Sequence, residues 1–252
     1  MERQLADVQL QMLKNQIKPH FLFNTLNLIA SMAQIEDAEV TEKMIEALSR
    51  LFRYNLKSSE SVMPLERELR VVQDYMYLQQ MRFGKRIQYQ SDCAPETLSL
   101  LVPSFVLQPL VENAIKHGLS MRSSGGRIVV RSWMDGERFR MSIADTGEGM
   151  SEERLEEVRQ RLKRGERNDI SSIKREEAKR EDSKREDTKS GEHTGTGIGL
   201  LNIWSRIHGM YCDGEMEIYS RPGAGTVVQL AFTPEKGPEG GDSNVSGITG
   251  RR

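Results

Sequence analysis

At 252 residues, with 37% apolar and 29% charged side chains, the chain has enough apolar material to bury one full domain and a smaller helical one. Its 36 basic and 37 acidic residues leave a formal net charge of -1, which argues against a nucleic-acid or anionic-lipid partner attracted by a global field. No stretch reaches the roughly 20 apolar residues that span a bilayer, the first residues hold no signal-peptide core, and Cys93 and Cys212 stand far apart, outside metal-ligand spacing. As given, the chain is expected to be soluble and cytoplasmic, in a reducing compartment.

Residues 2–18 carry Leu5, Val8 and Met12 on one helical spacing and Leu10, Leu13 and Ile17 on another, a wide apolar stripe that wants a partner helix. The pattern continues through His20 to about Met32. Pro19 lacks a backbone donor and crowds the carbonyl of Asn15, so a kink is expected just before His20, with Asn24 one turn further on the same face. A lone histidine among Phe21, Leu22 and Phe23 is more often a packing or capping residue, and only the rest of the chain can give it chemistry.

Asp37 and Glu39 mark a break before a second amphipathic run, lined by Met44, Ile45, Leu48, Leu51, Phe52 and Leu56. The two runs read as a helical hairpin that buries its stripe against a second copy, a four-helix bundle in the dimer, or else lies on the following domain. A polar turn over 58–64 leads to a third helix, Leu65 to Arg82, stopped by Gly84. A short strand is expected at Ile87 to Gln90. Pro103 then opens a helix closed by Gly118, with Gln108, Glu112, Asn113, Lys116 and His117 as its polar inserts.

Arg127 to Trp133 and Arg138 to Ala144 alternate as two strands around a turn containing Asp135-Gly136. A helix at Ser151 to Lys163, a shorter one at Leu200 to His208 ended by Gly209, and strands at Glu215 to Tyr219 and Thr226 to Phe232 complete the pattern. Residues 174–188 repeat a five-residue unit three times, KREEA, KREDS and KREDT, with nothing apolar to bury: a solvated helix or flexible insert. The Gly- and Ser-rich tail from 236 to 252 reads as disordered.

Three glycine-bearing patches punctuate the second half: Asp145 to Gly149 (DTGEG), Gly195 to Gly199 (GTGIG) and Gly223 to Thr226 (GAGT). The first follows a strand, so Asp145 offers a carboxylate to an amino group while Gly147 and Gly149 allow close backbone approach. The second ends where a helix begins, and its backbone N–H groups and helix dipole suit a phosphate. It is no Walker loop, since the Lys-Ser/Thr pair is missing. Asn113 offers an amide oxygen to a hard cation, and Lys116 adds positive charge one turn on.

The segment from Gln108 to Gly118 (QPLVENAIKHG) resembles the N box, Asp145 to Gly149 the G1 box and Gly195 to Gly199 the G2 box of the GHKL ATP-binding fold shared by histidine kinases, gyrase B, Hsp90 and MutL. Gln16 to Asn27 (QIKPHFLFNTLN) resembles the acceptor segment of LytS- and YesM-like sensor histidine kinases. Together the resemblances cover roughly residues 10–233, apart from the repeat. They imply an α+β protein in which a dimerising helical hairpin precedes an α/β sandwich with a mixed sheet and helices on one face. The implied division is 1–62 for the dimerisation and acceptor helices, 63–85 for a connecting helix and 86–235 for the ATP-binding domain, with a lid at about 150–194 that contains the repeat.

The same resemblance implies ATP and Mg²⁺ as cofactors, a homodimer, and a response-regulator receiver domain as partner, with any membrane attachment made through a sensor region absent from this chain. Asn113 would bind Mg²⁺, Lys116 and His117 would meet the phosphates, and Asp145 would read the adenine amino group. Gly147, Gly149, Gly195, Thr196, Gly197, Gly199, Leu200 and Thr226 would line the nucleotide, and His20 would accept the γ-phosphoryl group. Two departures stand out. The ATPase relatives carry a Glu four residues before the Asn where this chain has Pro109, which disfavours hydrolysis, and Phe21 follows His20 where many histidine kinases carry an acid. Asn24 is a candidate for positioning a water in dephosphorylation of the partner. Another GHKL ATPase or protein kinase, or a non-catalytic nucleotide-binding dimerisation module, would share the glycine patches without a role for His20.

Overall fold

Apolar residues at helical spacing and in alternation mark the helices and strands of one main core that runs from Leu65 to Phe232. The computed structural model describes residues 19–57, 61–119, 122, 125–165 and 196–234. In chain order these form α1 (Pro19–Ile35), α2 (Glu39–Lys57), β1 (Val62–Pro64), α3 (Leu65–Phe83), β2 (Ile87–Cys93), β3 (Leu101–Pro103), α4 (Leu107–Asn113), β4 (Gly126–Asp135), β5 (Arg138–Asp145), α5 (Glu152–Gly165), α6 (Thr196–Met210), β6 (Glu215–Arg221) and β7 (Gly225–Phe232).

Alternation along the strands builds a one-sided sheet. β4 buries Ile128, Val130 and Ser132, and β5 buries Phe139, Met141 and Ile143. The two-residue loop between them starts at Gly136 with φ 62°, and its register sets Val130 opposite Ile143 and Ser132 opposite Met141. β7 continues the buried rows, with Leu230 opposite Met141 and Phe232 opposite Phe139, whose rings lie 5.0 Å apart. The order is β2-β4-β5-β7-β6, antiparallel except that β2 runs parallel to β4, so the sheet is mixed. Arg131, Arg140, Ser142 and Gln229 occupy the other face, none of them buried.

Helices cover the apolar face with residues three and four apart: Leu65, Leu69, Val72 and Met76 from α3, Leu107, Leu110 and Val111 from α4, Leu155, Val158 and Leu162 from α5, and Leu200, Ile203 and Ile207 from α6. The α+β class, the hairpin and the mixed sheet expected from the sequence are all present.

The hairpin is tied in more lightly. α1 packs on α2 and α2 on α3. Leu51 and Tyr54 of α2 join Met63 and Val71 in a small second core, and Arg50 makes a two-point ion pair to Asp74 on α3 at 2.9 and 2.8 Å. Within the hairpin, Arg53 lies over the Phe23 ring, and the expected break falls at Asp37, which adopts φ 54°.

Several boundaries differ from the sequence reading, each for a tertiary reason. Pro103 ends β3 rather than opening a helix, because β1 pairs with it inside the expected polar turn; α4 starts only at Leu107. The N-box helix does not stay regular to Gly118 but widens into a π-helical turn over Ala114–Leu119. β2 extends to Cys93 because the edge of β4 is there to pair with it. α6 begins at Thr196, within the glycine patch, and passes Gly209 to Met210. Residues 2–18 and the kink expected there, the repeat at 174–188 and the tail from 236 lie outside the described residues.

Candidate nucleotide site

Three separate stretches converge at one end of the helical layer. Asn113 is the last residue of α4, the π-helical turn follows it, and Gly199 lies in the first turn of α6. A Cβ on Gly199 would sit 3.4 Å from Asn113 Nδ2, so a glycine brings the start of α6 up to the asparagine amide. That Nδ2 is buried and has no hydrogen-bond partner among the described residues, a costly state for an amide unless something is meant to meet it.

Asp145 ends β5, opposite Ile128. Its Oδ1 accepts from the Gly147 N–H at 2.8 Å, and the Thr226 N–H also bonds the carboxylate. Burial pushes the Asp145 carboxyl above its ordinary value, against the opposing pull of those two backbone donors. The surrounding backbone approaches as closely as glycine permits. A Cβ on Gly118 would lie 2.9 Å from Asp145 Oδ1, one on Gly147 would overlap the Gly118 backbone, and Gly225, with φ 94°, leaves none to strike the Asp145 carbonyl. Gly149 has φ 66°, Glu148 N–H donates to Gly118 O at 3.0 Å, and Arg122 donates to the Thr146 and Gly147 carbonyls. These bonds fix the G1 turn against the N-box turn.

Between these parts is a cavity of about 60 Å³ whose wall includes Asn113, His117, Asp145, Gly149, Leu200 and Thr226, with Gly118 and Met150 alongside. Small-molecule sites usually measure roughly 300 Å³ or more, so a nucleotide entering here must displace part of the wall. Thr226 is steadied by its pairing with Ser220 at 2.9 Å, and Ser220 also accepts from the Met150 N–H. Lys116 shares the π-helical turn with His117, but its side chain is exposed whereas His117 is half-buried. Gly147 is buried at the turn itself; Thr196 and Gly197 open α6; Gly195 lies outside the described residues.

His20 and Asn24 lie in the first two turns of α1, Asn24 exposed and outside this wall. A larger hollow of about 390 Å³ lies between α5, α6 and β6, lined by Arg159, Lys163, Trp204, Glu217 and Tyr219. It is open, carries both signs of charge, and Arg159 already donates to Ile218 O, so the smaller cavity has the better-directed chemistry.

The cavity's chemistry fits a purine nucleotide: a half-buried carboxylate to accept from an amino group, backbone packed too tightly for side chains, and an amide at a helix start with no partner among the described residues. Sequence reasoning missed Gly118 and Gly225 as backbone neighbours of Asp145, reading Gly118 as a helix stop at the end of the N box, and missed Arg122. Gly118 was findable, because a glycine closing a motif-bearing helix has two explanations.

Residues 103–236 match the family described as histidine kinase-, DNA gyrase B-, and HSP90-like ATPase. The chain belongs to that family. Residues 8–87 of this ATPase-family chain match a second family, described as histidine kinase, so the two parts of the resemblance stand in the expected order. The sensor protein kinase HptS of Staphylococcus aureus, in strains USA300 and NCTC 8325, is 33% identical over 173 residues, 69% of this chain and 32% of the relative. The chain thus spans about a third of the length of the curated relatives it matches. Among solved structures, the histidine kinase domain of the Erythrobacter litoralis EL346 blue-light activated kinase is similar over 90% of this chain and 94% of its own (18% identity, TM-score 0.43). Acinetobacter baumannii AdeS is similar over 87% and 96% (12% identity, TM-score 0.42). Among the described residues, no helix of this ATPase-family chain is long and apolar enough to cross a membrane.

Proposed function

We propose that this chain is the transmitter portion of a two-component sensor histidine kinase, which phosphorylates His20 with Mg-ATP and passes the phosphoryl group to an aspartate on a response-regulator receiver domain. The observation that carries the reading is the convergence of Asn113, Asp145 and the start of α6 on one cavity, in a chain whose residues 8–87, His20 among them, match the histidine kinase family.

In this reading Asp145 accepts from the adenine amino group, and Gly147 and Gly149 leave room for the base. Gly195, Thr196, Gly197 and Gly199 border the phosphates, Leu200 and Thr226 line the base, and Lys116 and His117 approach the phosphate end. Asn113 has the one hard oxygen that Mg²⁺ needs from the protein, since this ion keeps waters and takes its remaining ligands from phosphates. When bound, Mg²⁺ would neutralise charge on the transferring group.

His20 acts as the nucleophile through the lone pair of a neutral ring nitrogen. A nitrogen–phosphorus bond forms, the bond to the β,γ-bridging oxygen breaks, ADP leaves and the second ring N–H loses its proton to solvent. Pro109, standing where the ATPase relatives carry a Glu, keeps the site from activating water. Asn24 positions a water when the partner's aspartyl phosphate is hydrolysed.

The division into 1–62, 63–85, 86–235 and 236–252 follows, with a lid at about 150–194. The hairpin pairs with a second copy, because α1 leaves Phe21, Leu28, Met32 and Ile35 exposed. The parent protein would be anchored in the membrane by a sensor, with this part in the cytoplasm. Incubation with γ-labelled ATP should give an acid-labile, alkali-stable label that His20→Gln abolishes; a label that persists in His20→Gln overturns the reading.

A further inference from the structure

Glu68 is wholly buried on α3, and four donors without formal charge converge on it. Its Oε1 accepts from the Tyr54 hydroxyl and from the Phe105 N–H at 3.0 Å; its Oε2 accepts from the N–H groups of Val106 at 3.2 Å and Leu107 at 3.0 Å. Those three N–H groups lead into α4, whose own capping residue, Val106, has no side chain able to bond them. A carboxylate 38 or 39 residues away in sequence therefore caps the N-box helix, satisfying donors that would otherwise be buried without partners.

The fourth donor comes from the hairpin. Tyr54 lies on α2; its hydroxyl accepts from the Phe105 N–H at 2.8 Å while donating to Glu68, and its ring packs on Phe105 at 4.4 Å. Burial beside Glu68 pushes the phenol well above its ordinary pKa, so it remains a donor. Phe105 is held at φ 60°, a conformation that a bulky residue adopts only under constraint. Arg206 of α6 closes the joint from the third side: it donates to Ser104 O and lies 5.3 Å from the Phe105 ring centre. The loop at 104–106 thus touches the hairpin and both helices whose ends meet at Asn113 and Gly199.

We propose that Tyr54 and Glu68 are positioning residues for phosphoryl transfer: one carboxylate shared between the hairpin and the first turn of α4 couples the placement of the acceptor helices to that of Asn113. The inference rests on the kinase reading above. The seven residues of α4 transmit a displacement at Leu107 to Asn113 almost rigidly, because α4 is packed on four buried residues and has no glycine to absorb it. Tyr54 contributes the hairpin side of the joint, Glu68 the nucleotide side, and the two are separable.

The test uses the full chain with Mg-ATP, reading equilibrium nucleotide affinity and the rate of His20 labelling at saturating ATP, each normalised to folded protein. Tyr54→Phe keeps the ring and the three backbone donors to Glu68. It should change affinity less than about two-fold and slow saturated labelling about ten-fold, because only the alignment of the two parts is loosened. Glu68→Gln replaces an acceptor oxygen by an NH₂ group facing N–H donors, and should weaken nucleotide affinity as well as labelling. A merely structural pair would lower thermal stability in both variants and leave the saturated rate per folded molecule at the wild-type value; that result for Tyr54→Phe overturns the proposal. If Glu68→Gln does not fold, Tyr54→Phe alone decides. If the wild-type chain acquires no label at all, the kinase reading fails separately, and unchanged nucleotide affinity in folded Glu68→Gln then overturns the coupling too.

Discussion

The sheet domain and α1 solve the same problem in opposite ways. In the sheet, each inward row finds its cover within the chain: Phe139 meets Phe232, Met141 meets Leu230, and helices close over both. On α1, Leu26 and Ala33 are buried against α2, while Phe21 stays 71% exposed, Leu28 64% and Ile35 75%. What differs is whether the apolar surface is covered within the chain. A domain that binds nucleotide must hold its site in place by itself, whereas in the proposed dimer the helix that presents His20 is completed by a second copy.

The largest effect that tests this contrast lies in the sheet. Phe139→Ala should destabilise the α/β part by about 3–5 kcal/mol, read as a lowered denaturant midpoint, because neighbours packed on both sides cannot collapse into the space. Leu28→Glu combined with Ile35→Glu should instead leave that midpoint unchanged and weaken self-association by more than about a hundred-fold by sedimentation, since each side chain loses roughly 1.5–3 kcal/mol of burial only when a partner is present. Loss of the midpoint in the double variant would mean that α1 is covered within one chain.

Next comes Asp145. Because burial raises its pKa in the folded protein, the native state holds a proton that the unfolded chain has released, so stability of the nucleotide-free protein falls as pH rises from the ordinary carboxylate value through the raised one. In its proposed role Asp145 reads adenine in the ionised form, so Mg-ATP affinity should fall as pH drops through that same raised value. Asp145→Asn should lower affinity about ten-fold or more and flatten this dependence, as measured by nucleotide titration across pH. The smallest effect is at the hairpin seam: Arg50→Ala removes a half-exposed pair with Asp74 and should cost about 1 kcal/mol or less in thermal unfolding.

The glycine patches were readable because close backbone approach leaves only one residue type able to serve, and the strands because alternation with an Asp-Gly turn admits few alternatives. The start of α4 was not. Pro103 carries the local signature of a helix opening, and what overrides it is a strand pairing with Val62 together with a cap from Glu68, both distant in sequence. Likewise the onset of α6 at Thr196 runs against three nearby glycines, and tertiary packing of Leu200, Ile203 and Ile207 on the core decides it. The cavity's backbone neighbours Gly118 and Gly225 belong to this class too: each has an ordinary local explanation, and only the assembled fold brings both to Asp145.

The central claim is that a hairpin histidine and a distant nucleotide cavity serve one reaction. Mass-spectrometric mapping of the chain after incubation with Mg-ATP, kept at alkaline pH throughout, tests it most directly. A single phosphoryl group on the peptide containing His20, absent from Asn113→Ala and reduced in Asp145→Asn at sub-saturating ATP, is the expected result. Phosphate on another residue, or nucleotide bound by the intact chain with His20 never modified, would contradict the account.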